Sequence, residues 1–393
     1  MRILVLTERY YPEKFLINDL VLEWQSSGYK ITVLTQAPSY PFDSIPAGYL
    51  NRLTDTVEDN IRVVRFKTHL GYKKSLFHKI CNYFLFMLRA VWYAPGLARK
   101  HDVMFVYHTG PLSQALALVP VKIFARKKTV IWTQDVWPDT VFAYGFPSKG
   151  IFSVILKFFV KIIYAYCDEV LVSSPGFVNR LRPYVRPDTS VKFIPQWVPA
   201  EFALRQASGM VVRSDVRKFI FTGNIGSVQN LERVIAAFAK VGKSVADLFI
   251  LGDGSYRHIL EDKIRRNEIE NVHFLGSVDL SKVLSVIDQC DFTVLPLEPN
   301  PLLKLTIPAK FQTYLYAGKP ILAVCGGEVS SFIEKNRLGL CADPLSVDNI
   351  ANSIKEMCAI DFIDLKEIQS NLNIVLSQFN RHDLIKQLEA CLL

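Results

Sequence analysis

TIPAKFQTYLYAGKP, residues 306–320, runs directly into the apolar ILAV, residues 321–324. Ile307 precedes a proline and is pushed toward extended backbone, while Pro308 has the fixed φ that suits a first helical position. Phe311, Tyr314 and Leu315 fall at i, i+3 and i+4, so the spacing predicts a helix with one buried face. Gly318 and Pro320 stop it, and the apolar run beyond reads as a buried strand. This is a crossover unit of a parallel sheet. Lys310 breaks the pattern, because a cation in the first turn faces the positive end of the helix dipole. A bound anion reverses that cost, since free amides and the ammonium then converge on it. The residues therefore point to a seat for a nucleotide diphosphate at this helix start. The plainer reading leaves Lys310 reaching solvent from a well-capped crossover helix.

The same alternation extends through the chain. Strand-like runs fall at Ile3–Thr7, Ile31–Thr35, Val63–Lys67, Val103–Tyr107, Val130–Gln134, Val170–Ser174 and Val191–Pro195, and helical patterns separate them. After the polar stretch Gln206–Lys218 the pattern restarts with Phe219–Gly223, Leu248–Gly252, Val272–Gly276, Phe292–Leu297 and Ile321–Val324. Continuous apolar strands between helices imply parallel sheets covered on both faces. At 393 residues the chain is long for one core and suits two. The expected fold class is α/β, with two Rossmann-like doubly wound domains facing a cleft. The expected boundaries are 1–198, 199–375 and a last helix, 376–393, packing back on the first domain. Ligand is expected at the strand carboxyl ends.

Half of the residues are hydrophobic and 21% are charged, which excludes a disordered chain. Met1-Arg2 runs straight into a strand-like segment, so no secretory leader is expected. The seven cysteines show no paired spacing, which argues for free thiols in a reducing cytoplasm and against a metal site. Charge is uneven. Residues 1–198 hold 25 Lys and Arg against 14 Asp and Glu, whereas residues 199–393 hold 21 against 23. A polyanionic partner should therefore meet the first half.

In that half, Glu8 to Lys14 (ERYYPEK) follow the first strand and lead into a helix expected to be capped near Asn18-Asp19. Glu8 and Arg9 are as ready to pair with each other as with a ligand. Tyr11, Pro12 and Glu13 lie where a ligand-facing loop belongs. Leu76–Arg99 and Ile151–Tyr166 are the most hydrophobic stretches. Arg89 interrupts the first, and the second is short and contains Lys157 and Lys161, so neither reads as a membrane span. Lys157 and Lys161 share one helix face, with Phe158 and Phe159 among the neighbouring aromatics, the composition of a helix lying in a membrane interface. Lys73, Lys74, Lys79 and the Arg126-Lys127-Lys128 cluster add charge for an anionic lipid surface. The alternative is a pair of core helices with snorkelling lysines. Between these stretches, Thr133 to Asp139 (TQDVWPD) follow another strand. Asp135 could hold or deprotonate an acceptor hydroxyl, with Trp137 beside it, or Asp135 and Asp139 could simply cap the next turn.

The second half carries Gly223-Asn224-Ile225-Gly226 at a strand end before a helix expected over Gln229–Lys240. Glycines there let a phosphate approach the backbone. Gly252-Asp253-Gly254 follow the next strand with Arg257 nearby, and Phe274-Leu275-Gly276 end a third, where a base could stack or bond main chain. Each is weak alone and defaults to a tight turn.

Together GNIG, LGDG, FLG, VLPL and PAKFQTYLYAGKP resemble the nucleotide-sugar domain of retaining GT-B glycosyltransferases of family four. RYYPEKFLINDL and WTQDVWPD resemble the branch that builds bacterial O-antigen and capsule, particularly N-acetyl-L-fucosamine transferases. The resemblance spans nearly the whole chain. It implies a UDP-sugar donor held by the second domain, with Lys310 on the diphosphate and Gly223, Asn224, Gly226, Gly252, Gly254, Leu275, Gly276, Pro308, Gln312 and Thr313 around the donor. It implies no metal and no cofactor. The implied acceptor is a lipid-diphosphate-linked saccharide met by the first domain, with Asp135 positioning it, at the inner face of the bacterial inner membrane. The chain departs from the family at Leu305 and Thr313, where two glutamates are usual. Gln312, Thr313 or Glu298 would then take over their hydrogen bonds. Asn224 and Gln229 replace the usual Arg and Lys, and Gln134 stands where a histidine often precedes Asp135. Other readings are another hexose donor, a sugar-nucleotide epimerase, a nucleic-acid binder, for which no reader motif occurs, and a nicotinamide oxidoreductase, for which no G-x-G-x-x-G follows a strand.

Overall fold

A computed structural model describes residues 1–71, 73–143, 145–200 and 215–393. The chain forms two compact units. One is Met1–Pro195 with His382–Leu393, and the other is Gln196–Arg381. Most of the polar stretch Gln206–Lys218 lies outside the described residues.

In the first unit the strands are β1 (Arg2–Leu6), β2 (Lys30–Gln36), β3 (Thr54–Glu58), β4 (Ile61–Phe66), β5 (Val103–His108), β6 (Lys128–Thr133), β7 (Glu169–Val172) and β8 (Ser190–Phe193). They form one sheet in the order β3-β4-β2-β1-β5-β6-β7-β8. In the second unit β9 (Arg217–Thr222), β10 (Ala246–Leu251), β11 (Val272–Gly276), β12 (Phe292–Pro296), β13 (Ile321–Val324) and β14 (Gly339–Cys341) form a sheet in the order β11-β10-β9-β12-β13-β14. The α/β class with two doubly wound sheets is therefore what the structure shows. The order reverses beside β1 and β9, which places the switch points of the two sheets at β1/β5 and β9/β12.

Every pairing is parallel except β3 with β4, an antiparallel edge hairpin whose Asp59 and Asn60 both take positive φ. Neither β3 nor β14 is announced by the sequence. β3 (TDTVE) is polar and exposed at the sheet edge, and β14 has only three residues. The central strands are buried throughout, β5 along its whole length, because helices cover both faces. Aromatic packing fills the second core. Phe219 meets Phe238 edge-on at 5.2 Å and Phe292 at 4.8 Å between ring centroids.

Three local expectations change. The first helix spans Leu16–Ser26 and starts ahead of Asn18, because Phe15 is the extended residue before it and Asn18 Nδ2 instead donates to the Glu13 carbonyl at 2.7 Å. The helix after Gly226 spans Leu231–Val241, since Ser227–Gln229 form a separate 3-10 turn and Asn230 is left-handed. Pro308 is the N-cap of the Ala309–Ala317 helix, with ψ 147°, not its first helical residue, and its carbonyl accepts from the Phe311 N–H at 2.9 Å. Gly318 closes that helix in the left-handed conformation (φ 65°).

The second unit begins at Gln196, slightly before residue 199, and runs past residue 375. Phe379 explains the later end, since its ring packs on Phe311 at 5.9 Å and on Phe332 at 6.2 Å. The last helix, Arg381–Ala390, buries Leu384, Ile385 and Leu388, and Lys192 reaches Cys391 Sγ at 3.7 Å within the first unit.

Candidate functional site

The carboxyl ends of β9, β10 and β11 are tied into one rim by main-chain bonds. Gly223 N–H donates to Leu251 O at 2.9 Å, Ile225 N–H to Asp253 O at 2.9 Å, and Gly252 N–H to Gly276 O at 2.8 Å. The glycines of this rim have different reasons to be glycine. A Cβ on Gly252 would stand 1.9 Å from Gly223 O, and one on Gly254 2.3 Å from Ile225 O. Both are therefore fixed by loop packing against loop. Gly223 (φ +125°) and Gly276 (φ +73°) instead face only side-chain ends, Lys310 Cε at 4.0 Å and Arg257 Nη1 at 3.8 Å. At Gly226 the nearest atom to such a Cβ is Asn224 Nδ2, at 3.1 Å. Leu275 is 43% exposed and Asn224 is exposed, so both are open to a ligand at the rim. The Arg257 guanidinium lies 5.6 Å above the Phe274 ring.

Lys310 enters this rim from the first turn of the Ala309–Ala317 helix. The residue is half-buried, its ammonium bonds Gln229 Oε1, and it lies 4.2 Å from the Phe221 ring centroid. Among the described residues no carboxylate pairs with it, and burial pulls its pKa down to about 7. The plain reading of a solvated lysine is thus excluded. A side-chain amide and an aromatic face hold the ammonium without cancelling its charge, beside the open backbone of Gly223.

The three candidates for the hydrogen bonds of the missing glutamates separate here. Gln312 is 2% exposed, and its amide nitrogen donates to Pro308 O and Ala309 O, each at 3.0 Å. Glu298 accepts from Arg233 Nη1 at 3.1 and 3.2 Å. Both are engaged within the protein. Thr313 is half-buried and, among the described residues, makes only a 3.5 Å bond to Ala309 O. The sequence gives no sign of Tyr314 as a clamp, since its spacing reads as ordinary core. Its hydroxyl accepts from Thr222 N–H at 2.9 Å and donates to Val294 O at 3.2 Å, pinning this helix to β9 and β12.

In the first unit, Glu13 is a brace. It is 5% exposed, and its Oε1 accepts from Ser39 N–H and Tyr40 N–H, both at 2.7 Å, and from Arg9 at 3.2 Å. Tyr11, before the cis bond to Pro12, is exposed, and Arg65 bonds its carbonyl at 3.0 Å. Asp135 Oδ1 accepts from Val136 N–H at 3.0 Å and from the Thr140 hydroxyl, and burial raises its pKa to about 6. Trp137 is half-buried beside it. Asp139 pairs with Arg180 Nε at 2.8 Å. His108, at the end of β5, went unmarked in the sequence. Its ring nitrogens meet Thr133 Oγ1 at 2.5 Å and Gly110 O at 2.7 Å, and burial lowers its pKa to about 4, so it is neutral at pH 7.

Residues 216–359, which hold this rim and Lys310, match the family described as Glycosyl transferases group 1. This part of the chain is similar to a group 1 glycosyltransferase domain. Two curated relatives extend the likeness into the first domain. WbjE of Pseudomonas aeruginosa, named as a glycosyltransferase, is 24% identical over 313 residues, 75% of each chain. WcaI of Escherichia coli (strain K12), named for colanic acid biosynthesis as a glycosyl transferase, is 23% identical over 384 residues, 91% of this chain and 92% of its own. Among solved structures, HepE of Anabaena in complex with UDP and glucose superposes with a TM-score of 0.67 at 17% identity, over 100% of this chain and 99% of that one. The E. coli trehalose-6-phosphate structure bound with UDP-2-fluoro glucose gives a TM-score of 0.73 at 11% identity, with 100% and 99% covered. The chain thus has the GT-B fold of two parallel-sheet domains.

Proposed function

We propose that this glycosyltransferase moves an N-acetylated deoxyhexose, with N-acetyl-L-fucosamine the first candidate, from a UDP-sugar to a lipid-diphosphate-linked saccharide in O-antigen or capsule assembly, with retention. The observation that carries the reading is the buried Lys310 ammonium without a carboxylate, next to the open backbone of Gly223. Such a site suits the diphosphate, where negative charge grows as the sugar leaves. In a same-face transfer the bond from sugar C1 to the phosphate oxygen breaks and the bond from C1 to the acceptor oxygen forms. The acceptor proton passes to the departing phosphate oxygen, so no nucleophilic side chain and no metal are assigned. Asp135 is given acceptor positioning. WcaI's name, with colanic acid in it, and the UDP held by HepE support the substrate classes.

Membranes incubated with UDP-, GDP- and dTDP-sugars test this. UDP release with product entering the lipid phase is the expected result. GDP release makes the donor another hexose, and turnover without acceptor makes the enzyme an epimerase. The pH profile of kcat/KM reports free-enzyme groups. It should be a narrow bell, with an acid limb near 6, where Asp135 loses its charge, and an alkaline limb near 7, where Lys310 does. Asp135→Asn should remove the acid limb only.

For an anionic membrane surface as partner, the support is an exposed apolar ridge. Phe77, Ile80, Phe84, Leu88 and Trp92 repeat at three- and four-residue spacing along the Leu76–Ala98 helix, and Trp92 is 83% exposed. On the Gly150–Ala165 helix, Ile151, Val154, Ile155 and Phe158 are exposed beside Lys157 and Lys161, and Phe159 is half-buried. Both helices make rightward crossovers in the sheet order and both pack on the Leu112–Pro120 segment, so they share one face. Among the described residues no helix is long and apolar enough to cross a membrane. The proposed location is peripheral, on the cytoplasmic face of the inner membrane, and the exposed ridge supports it. Flotation with anionic vesicles should recover it, and Trp92→Asp with Phe158→Asp should cut the bound fraction about tenfold or more. Equal recovery of both proteins ends the membrane reading.

A further inference from the structure

Glu8 stands just past β1, at the carboxyl edge of the first sheet, with its side chain 5% exposed. Its two carboxylate oxygens are used unequally. Oε1 accepts from Gln36 Nε2 at 3.1 Å and Asn82 Nδ2 at 3.4 Å, and pairs with Arg9 at 3.2 Å. Oε2 takes no hydrogen bond among the described residues, and lies 3.1 Å from where a Cβ on Gly110 would stand. Gly110 is half-buried, and its carbonyl is held by His108 Nε2 at 2.7 Å. A structural brace accounts for Oε1. It leaves Oε2, which keeps some exposure, without a donor from the described residues.

We propose that Glu8 Oε2 binds a hydroxyl of the acceptor saccharide, entering past Gly110. The surroundings select this class of ligand. The carboxylate repels an anion, while Arg9 and the nearby Lys79 disfavour a cation. A neutral donor small enough for the space beside a residue with no side chain remains, and a sugar hydroxyl is one. The assignment rests on the glycosyl-transfer reading, and it adds a contact separate from Asp135.

Two variants test it, with synthetic farnesyl-diphospho-N-acetylglucosamine as acceptor and the donor found active with membranes. Gly110→Ala puts a methyl group where the hydroxyl would sit and leaves the Oε1 contacts alone. Gly110 lacks positive φ, so no backbone strain accompanies the change. Acceptor KM should rise about tenfold or more, with UDP affinity within about twofold and Tm unchanged, since a good hydrogen bond to a charge is worth at least that factor. Glu8→Gln should raise acceptor KM by a similar factor, with kcat much less affected. Acceptor KM within about twofold of wild type in Gly110→Ala, or a loss of Tm with no separation of KM from kcat in Glu8→Gln, overturns the assignment while the transfer reading stands. A wild-type enzyme that transfers to no acceptor overturns both.

Discussion

Lys310→Ala weakens UDP binding about 10- to 100-fold, the value of one charge-assisted hydrogen bond to a phosphate in a site shielded from water. The same substitution makes the unliganded protein more stable. Burial holds the Lys310 pKa at about 7, far below its ordinary value, so the folded state disfavours the ammonium that the unfolded chain carries freely. Between pH 7 and 10 the unfolded state binds the extra proton, and stability of the free enzyme rises with pH over that window. Ligand binding runs the other way. A diphosphate raises the lysine pKa, so affinity is fully present below about pH 7 and falls by up to about tenfold per unit above it, until the pKa of the complex is reached. Calorimetry in two buffers of different ionisation enthalpy should show proton uptake on UDP binding at pH 8. Lys310→Arg should abolish that uptake and flatten the pH dependence, because guanidinium stays charged throughout. UDP affinity unchanged in a folded Lys310→Ala protein would refute the diphosphate seat.

Gly252→Ala carries a large expected stability loss. Its Cβ would lie 1.9 Å from Gly223 O at φ +141°, a clash of backbone with backbone that no rotamer change relieves. Strain at the dihedral and overpacking together cost about 3–5 kcal/mol, enough to lower Tm by about 10 °C in a domain of this size. Gly96→Ala is the control. It lies in the Leu76–Ala98 helix with nothing within 4 Å of its Cβ position, and the change should be neutral or stabilising by up to about 1 kcal/mol. Thermal unfolding of the two variants separates a glycine kept for packing from one with no packing reason. A Gly252→Ala protein that melts with wild type would show that the rim is looser than its main-chain bonds imply.

These two residues show how far the sequence reaches. Lys310 stands out from residue order alone, because a cation at a helix start contradicts the dipole and calls for an anion. What holds it, the Gln229 amide and the Phe221 ring, comes from segments about 80 and 90 positions earlier, and no local pattern announces them. Gly252 is visible as a strand-end glycine, but whether it faces ligand or a neighbouring loop depends on how β9 and β10 end side by side. Glu13 illustrates the same limit. Its place in a loop after a strand suits a ligand contact, yet the amides of Ser39 and Tyr40 occupy its carboxylate.

The sequence by itself determined the α/β class, most of the strands of two parallel sheets, and the helix start at Pro308. Period-2 and period-3.6 burial are properties of adjacent residues, and proline and glycine act on their own dihedrals. Tertiary structure alone decided the antiparallel edge β3, the separate uses of the rim glycines, the sequestering of Gln312 and Glu298, and the unmatched oxygen of Glu8. Each depends on which group from a distant segment arrives within hydrogen-bond or van der Waals reach, and that proximity is created only when the sheets assemble.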